Sequence, residues 1–359
     1  MYKHLIRPLM FRLSADYAHE LTVNIGSTIS RNKLVTQIIS SLYEHSAPSL
    51  EQTILGISFK NPIGLAAGFD KNGTMGSLMQ SLGFGFIEVG SVTANPSTGN
   101  PKPRSFRLPD DESIINRLGL NNDGVQTISK RLKKLDLSIP IGINIAKTHE
   151  PTISGQKAID DYVRSFKKVK EIGDYITINI SCPNTTEGKT FEDPKSLEQL
   201  LTALAIEKDS MLAPVLVKFS VDLTPSLLEE LISVCENHSI SGYVACNTSN
   251  SRDQLASPKS TIREIGRGGL SGRAIREKST EIISRIRHLS SGNKLIIGVG
   301  GISSGEDAIE KLKAGADLLQ IYTSMVYEGP SIVKKINKEI ENHLKSKGLK
   351  HIYELSKSS

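Results

Sequence analysis

The stretch Leu295-Ile296-Ile297-Gly298-Val299-Gly300-Gly301-Ile302-Ser303 opens the clearest structural unit in the chain. Its apolar start, Leu295 to Gly298, is short, β-branched and continuous, as in a strand covered on both faces. Glycines end it, and an amphipathic run from Ser304 to Ala314 follows, with a serine placed to cap a helix. A second short apolar run, Leu318 to Ile321, comes next. Strand, crossover helix and strand in this order build a parallel sheet with helices packed outside it.

Working toward the N-terminus, the same unit recurs. Further strands are expected at Ile63 to Leu65, Phe86 to Gly90, Ile141 to Ile145, Tyr175 to Ile180, Val215 to Phe219 and Gly242 to Ala245, which makes eight in all. Pro225 to Glu236 is another crossover helix, capped by a threonine. Eight units favour a closed barrel over an open doubly wound sheet, so the expected fold is a (β/α)8 TIM barrel. Two segments break the alternation: Val92 to Arg107 and Ser249 to Gly269, polar loops that follow strand ends, where barrel enzymes place binding loops.

The expected division is an N-terminal helical extension, residues 1–45, and a barrel, residues 46–359. In the extension Leu5, Ile6, Leu9, Met10 and Leu13, then Ile38, Ile39, Leu42 and Tyr43, are spaced as apolar faces of two short helices. Lys3, Arg7, Arg12, Arg31 and Lys33 flank them. Periodicity leaves two readings open: a cap on the barrel, or a face that docks on a membrane surface.

Composition narrows the classes. With 38% hydrophobic and 23% charged residues and 29 glycines in 359, the chain reads as a globular α/β protein. A net charge of +6 suits an anionic ligand, but no aromatic-interleaved basic run points to nucleic acid. Cys182, Cys235 and Cys246 lack CxxC spacing, and the scattered histidines form no zinc motif, so neither disulfides nor a metal is expected. No apolar run is long enough to span a membrane, and the N-terminus lacks a secretory signal. No GxSxG elbow or Rossmann fingerprint appears.

The chemistry-bearing residues sit after strands. Ala66-Ala67-Gly68-Phe69-Asp70-Lys71-Asn72-Gly73 would let a planar ligand approach the backbone and offers the Lys71 charge. Asn179-Ile180-Ser181-Cys182-Pro183-Asn184-Thr185 sets two amides around a cysteine; amides both donate and accept, which suits a pyrimidine-like ring, and Cys182 is the best candidate base. Gly298 to Ser303, with Tyr322-Thr323 after the last strand, reads as a phosphate cradle of backbone amides and a helix N-terminus. Lys218, ending the fifth strand, could place a cation beside a flavin, and Asn144 is a second inward polar group.

Taken together, Ala66 to Lys71, Asn116-Arg117-Leu118-Gly119-Leu120-Asn121-Asn122, Asn179 to Thr185 and Gly298 to Ile302 resemble the dihydroorotate dehydrogenase family. The resemblance runs from the N-terminal helices to about Pro330. The extension, with Tyr17-Ala18-His19-Glu20, and Pro103-Arg104-Ser105-Phe106-Arg107 look like its quinone-linked, membrane-associated class (class 2).

This resemblance implies FMN contacts at Ala67, Gly68, Phe69, Asp70, Lys71, Ser91, Asn144, Asn179, Lys218, Cys246, Gly272, Gly301, Tyr322 and Thr323. Dihydroorotate or orotate would meet Lys71, Asn116, Arg117, Leu118, Gly119, Leu120, Asn179, Asn184, Asn247 and Thr248. His19 and Arg107 would border the quinone site. The family pattern implies oxidation of dihydroorotate to orotate in pyrimidine (UMP) biosynthesis, Cys182 taking the C5 proton while hydride leaves C6 for the flavin. A quinone then reoxidises the flavin. The implied placement is peripheral, on the cytoplasmic face of the cell membrane, with the oligomeric state left open and a monomer compatible.

Three features depart from the quinone-linked pattern. Cys182 stands where that class usually has serine, Leu120 where it often has phenylalanine, and the loop Thr186 to Phe191 differs. A thiol of pKa about 8.5 is a better base near neutrality than a hydroxyl, so proton removal survives the exchange. Alternatives carried forward are a soluble member using fumarate or another small acceptor, another FMN barrel, and a flavin-binding or membrane-docking protein without turnover.

Overall fold

The computed structural model describes residues 2–181, 191–206, 213–292 and 294–356. Cys182 and Asn184 lie outside the described residues.

Eight parallel strands close into a barrel: β3 (Ile63–Leu65), β4 (Phe86–Val92), β7 (Ile141–Ile145), β8 (Tyr175–Asn179), β9 (Val215–Phe219), β10 (Gly242–Ala245), β12 (Leu295–Val299) and β13 (Leu318–Ile321), with β13 pairing back to β3. These are the eight expected strands, shifted by two residues or fewer at their ends. The helices Pro225–Glu236 and Gly305–Lys313 begin where Thr224 and Ser304 accept hydrogen bonds from Leu227 N and Asp307 N. Both crossover helices therefore start at their expected caps.

The barrel floor explains the apolar strand starts. Phe59, Phe86, Tyr175, Leu216, Val244, Leu295, Ile297 and Leu318 pack together there, all buried. Fully burying one such side chain contributes about 1.5–3 kcal/mol. Two neighbouring strand positions must stay small: a Cβ on Gly64 would fall within the Phe86 ring, and one on Gly142 within that of Tyr175. A hairpin of β1 (Gln52–Ile54) and β2 (Ile57–Phe59) lies against this floor and brings Phe59 to it.

The two loops that break the alternation are partly sheet. β5 (Ser105–Leu108), β6 (Ser113–Asn116) and β11 (Gly269–Gly272) form an antiparallel sheet in the order β11–β6–β5. The extension also differs from expectation. After a π-helical turn, Tyr2–Ile6, it holds α1 (Arg7–Arg12), α2 (Ala15–Ser30) and α3 (Lys33–Tyr43). The longest, α2, begins where Ser14 accepts from Tyr17 N. It packs on small contacts such as Gly26 against Met75, which leave little hydrophobic stripe to read.

Candidate active site

A single cavity of about 690 Å³ runs from the C-terminal ends of the barrel strands, under the small sheet, to the inner faces of α1 and α2. At the barrel end its walls carry Lys71, Ser91, Asn116, Asn179, Lys218, Asn247 and Thr248. At the helix end they carry Met10, Phe11, Ala15, His19, Ile25 and Ile29. A polar chamber thus opens into an apolar passage. Ligands of barrel enzymes bind at this strand end.

Lys71 ends the turn after β3 and reaches His19 on α2, Nζ to Nε2 3.1 Å. Burial, with Arg104 nearby, lowers the lysine to about 8. Burial, then Lys71 and Arg104, holds the imidazole well below its usual range. Neutral His19 therefore accepts from the Lys71 ammonium, joining the helical extension to the polar chamber.

A polar chain crosses the chamber wall. Asn144 Nδ2 donates to Glu88 Oε1 at 2.8 Å, Ser91 Oγ donates to Asn144 Oδ1 at 2.5 Å, and Asn179 Nδ2 donates to Ser91 Oγ at 3.0 Å. Asn247 Nδ2 reaches Ser181 O at 3.0 Å and Asn179 Oδ1 at 3.4 Å. Lys218, in register with Asn179, is 5% exposed and makes no hydrogen bond or ion pair among the described residues. A buried cation of this kind calls for an anionic or strongly accepting ligand.

At the far wall Gly300 and Gly301 take positive φ, +126° and +71°, and their amides donate to nothing among the described residues. A Cβ on Gly301 would lie 2.5 Å from Arg276 Cβ. These amides, with the start of the helix Thr323–Glu328, form a cradle of donors of the kind that takes an anion. The helix that follows Gly301 does not join it. Its start is taken by the protein's own groups: Asp307 Oδ2 accepts from Ser303 N at 2.9 Å, and Glu339 Oε2 accepts from Gly305 N at 2.5 Å. The cradle's geometry and the Lys218 cation together fit the phosphate and ring of a flavin.

Most expected contact residues border the cavity: Ala67, Gly68, Phe69, Lys71, Ser91, Asn116, Leu118, Gly119, Leu120, Asn179, Lys218, Cys246, Asn247, Thr248, Gly272, Gly301, Tyr322 and Thr323. Three do not present side chains to it. Asp70 accepts from Thr74 N and Met75 N, at 2.9 and 2.7 Å, and so shapes its own turn. Arg117 donates to Ile265 O and Arg267 O, at 2.6 and 2.9 Å, and lies 4.5 Å from the Phe106 ring centre. Asn144 is fully buried behind Ser91.

Arg107 borders the passage, as does His19. Its guanidinium lies 4.6 Å from the Phe11 ring centre and donates to Met10 O at 3.0 Å and to Leu13 O. It clasps the end of α1. Cys246 is buried and its thiol is pushed up to about 12, chiefly by burial, so it packs as a neutral group.

The model of the family described as dihydroorotate dehydrogenase matches residues 49–344. The chain belongs to the dihydroorotate dehydrogenase family. It is 40% identical over 355 residues to a Chloroflexus aurantiacus protein named dihydroorotate dehydrogenase (quinone), covering 96% of this chain and 97% of that one. A protein of the same name from Christiangramia forsetii is 41% identical over 342 residues, covering 95% and 98%. The crystal structure of DHODH from Eimeria tenella in complex with ferulenol aligns with a TM-score of 0.80 at 31% identity, over 90% of this chain and 94% of that one.

Sequence reading missed four groups in this dihydroorotate dehydrogenase-family site: Glu88, Tyr175, Ser181 and Gln320. Glu88 had a signal. It is a lone charge inside the apolar run Phe86-Ile87-Glu88-Val89, at an alternation that points into the barrel.

Proposed function

We propose that the protein oxidises dihydroorotate to orotate with bound FMN and passes the electrons to a quinone, a step of pyrimidine nucleotide formation. The observation that carries this is the continuity of one cavity from the polar chamber to the apolar passage beneath α1 and α2. One substrate is a small anionic ring and the other a lipophilic acceptor, and the two ends match them.

Gly300, Gly301 and Thr323 would hold the FMN phosphate, and Lys218 its electron-rich pyrimidine edge. When bound, FMN supplies the two-electron acceptance that forming a ring C–C double bond requires. Lys71 and the amides of Asn116, Asn179, Asn247 and Asn184 hold the carboxylate and ring of dihydroorotate. Cys182 takes the C5 proton. Around them, Leu118 and Leu120 shield the chamber from water.

His19 and Arg107 border the quinone's path. On the outer surface Leu5, Leu9, Leu34, Ile38 and Leu42 are each 61–73% exposed, with Lys3, Arg12, Arg31 and Lys33 beside them in sequence. Such a face supports peripheral docking on a membrane surface, and the cytoplasmic side of the cell membrane is the side proposed. No helix among the described residues is long and apolar enough to cross a membrane.

The test is anaerobic addition of dihydroorotate to the purified yellow protein, then separate reoxidation with a ubiquinone analogue, a menaquinone analogue and fumarate. Bleaching with recovery by quinone alone is the expected result. Recovery by fumarate alone would assign a soluble acceptor, and absence of bleaching would overturn the substrate. Cys182→Ala should abolish bleaching while keeping the yellow colour.

A further inference from the structure

Beneath the chamber, Glu88 is fully buried in the barrel and has no ion-pair partner among the described residues. Its Oε1 accepts from Asn144 Nδ2 at 2.8 Å. Its Oε2 accepts from Gln320 Nε2 at 2.8 Å, Tyr175 OH at 3.1 Å and Thr177 Oγ1 at 3.2 Å. Every neighbour donates, and a carboxylate can only accept.

That one-way character propagates. An amide has a donor end and an acceptor end, and nothing in its shape alone says which faces where. Glu88 decides it for Asn144: Nδ2 must face the carboxylate, so Oδ1 faces Ser91. The Ser91 proton is then committed to Asn144, which leaves its oxygen to accept from Asn179 Nδ2 at 3.0 Å. There the chain meets amides that the backbone orients: Asn179 Oδ1 accepts from Ser181 N at 3.3 Å, and Asn247 donates to Ser181 O at 3.0 Å while its Oδ1 accepts from Thr248 N at 2.8 Å. The same argument holds on the opposite wall. Gln320 must give Nε2 to Glu88, so its Oε1, buried and without a partner, is left as an acceptor at the cavity.

We propose that Glu88 is a positioning residue that fixes the donor and acceptor polarity at the floor of the chamber: Asn144, and through it the Ser91 hydroxyl, on one side, and Gln320 on the other. It touches neither substrate nor cofactor itself. The proposal rests on the reading of the cavity as the flavin and dihydroorotate site and names what presents its amides in one orientation. Without the carboxylate Asn144 and Gln320 can turn over, and a ligand edge that matches one polarity meets a mixture.

The geometry supplies a test by exchange. In Glu88→Gln the new Nε2 opposes either Asn144 Nδ2 or Gln320 Nε2, so one donor loses its acceptor. In the double variant Glu88→Gln, Asn144→Asp the direction is restored. The glutamine donates to the new carboxylate, its Oε1 still accepts from Gln320, Tyr175 and Thr177, and the carboxylate still accepts from Ser91. Net charge is the same as in the unaltered protein.

The readouts on the holoenzyme are the orotate dissociation constant, from the perturbation of the flavin spectrum, and flavin release on dilution. Glu88→Gln should weaken orotate by roughly tenfold, the usual effect of one unsatisfied buried donor. The double variant should return to within a few-fold of the unaltered protein. Ser91→Ala, which cuts the chain two links on, should weaken orotate as Glu88→Gln does. Unaltered orotate binding in Glu88→Gln, or a double variant no tighter than the single, would overturn the proposal. If the single variant does not fold, recovery of folding and binding in the double supports it and failure of the double overturns it. An unaltered protein that gives no orotate response would instead refute the substrate reading, while flavin release would still rank the variants.

Discussion

Gly301→Ala isolates the phosphate cradle. The residue sits at φ +71°, a region that costs an L side chain about 1–2 kcal/mol. Its new Cβ would lie 2.5 Å from Arg276 Cβ and 2.7 Å from Arg276 Cα. Arg276 cannot step aside, because it opens the helix Arg276–Leu289 and its guanidinium is held by Asp307 at 2.8 Å. The Gly300–Gly301 loop must instead retreat by about 1 Å to reach ordinary carbon–carbon contact. Two amides are then drawn off the phosphate. Hydrogen bonds to a charged group contribute about 1.5–3 kcal/mol each, so flavin affinity should fall by roughly two to four orders of magnitude. Flavin titration of the variant, and the flavin to protein absorbance ratio after gel filtration, measure this. Gly155→Ala is the control: φ is +53° and ψ −131° with open space around it, so it should lower stability by about 1–3 kcal/mol and leave flavin affinity unchanged. A folded Gly301→Ala protein that holds flavin as tightly as the unaltered one would refute the cradle.

Lys71, lowered to about 8, should lose its charge as pH rises through that value, so kcat/KM for dihydroorotate should fall above about pH 8. Once the anionic substrate is bound the ammonium is stabilised, so kcat should hold to higher pH; a kcat/KM flat to pH 10 in a pH-rate series would count against this role. The same shift works against folding: the unfolded lysine binds its proton at 10.5 and the folded one only near 8, so stability from this group is present above pH 10.5 and is lost as pH falls toward 8. Arg107→Ala removes two hydrogen bonds to the end of α1, and should slow quinone reduction several-fold while dihydroorotate bleaching persists, as stopped-flow traces of the two half-reactions would separate. Replacing Leu5, Leu9, Ile38 and Leu42 together by serine should abolish flotation with anionic vesicles; flotation unchanged would refute membrane docking through this face. Cys246, pushed up to about 12, should resist alkylation at neutral pH until the protein unfolds, which mass spectrometry of modified peptides would check.

The barrel was legible because each of its strands is a short apolar run buried on both faces, a pattern that survives without knowledge of partners. The small sheet was not legible. Ile114 and Ile115 pair with Ser271 and Leu270, and neither segment alternates long enough to announce a strand by itself. The length of α2 was hidden for a related reason, since its contacts run through Gly26 and Ala18 rather than a broad apolar stripe. In the site, motif residues at loop positions could be read directly. Asp70 and Arg117 lie in the same motifs, yet their side chains serve backbone groups, a distinction only the fold makes. Glu88 and Gln320 were passed over because a polar residue inside an apolar strand is readable only once the direction of that strand's side chains is known.

The small sheet over the chamber is built from strands far apart in the chain, with Asn116 and Gly269 separated by 153 positions. Bringing such distant segments together costs chain entropy that local contacts do not repay, so the pairing leans on the barrel strands β7 to β10 that lie between them. Native-state hydrogen exchange should report the small sheet as one unit, the amides of Ile114, Ile115, Leu270 and Ser271 opening together and at lower free energy than the barrel strands beneath them.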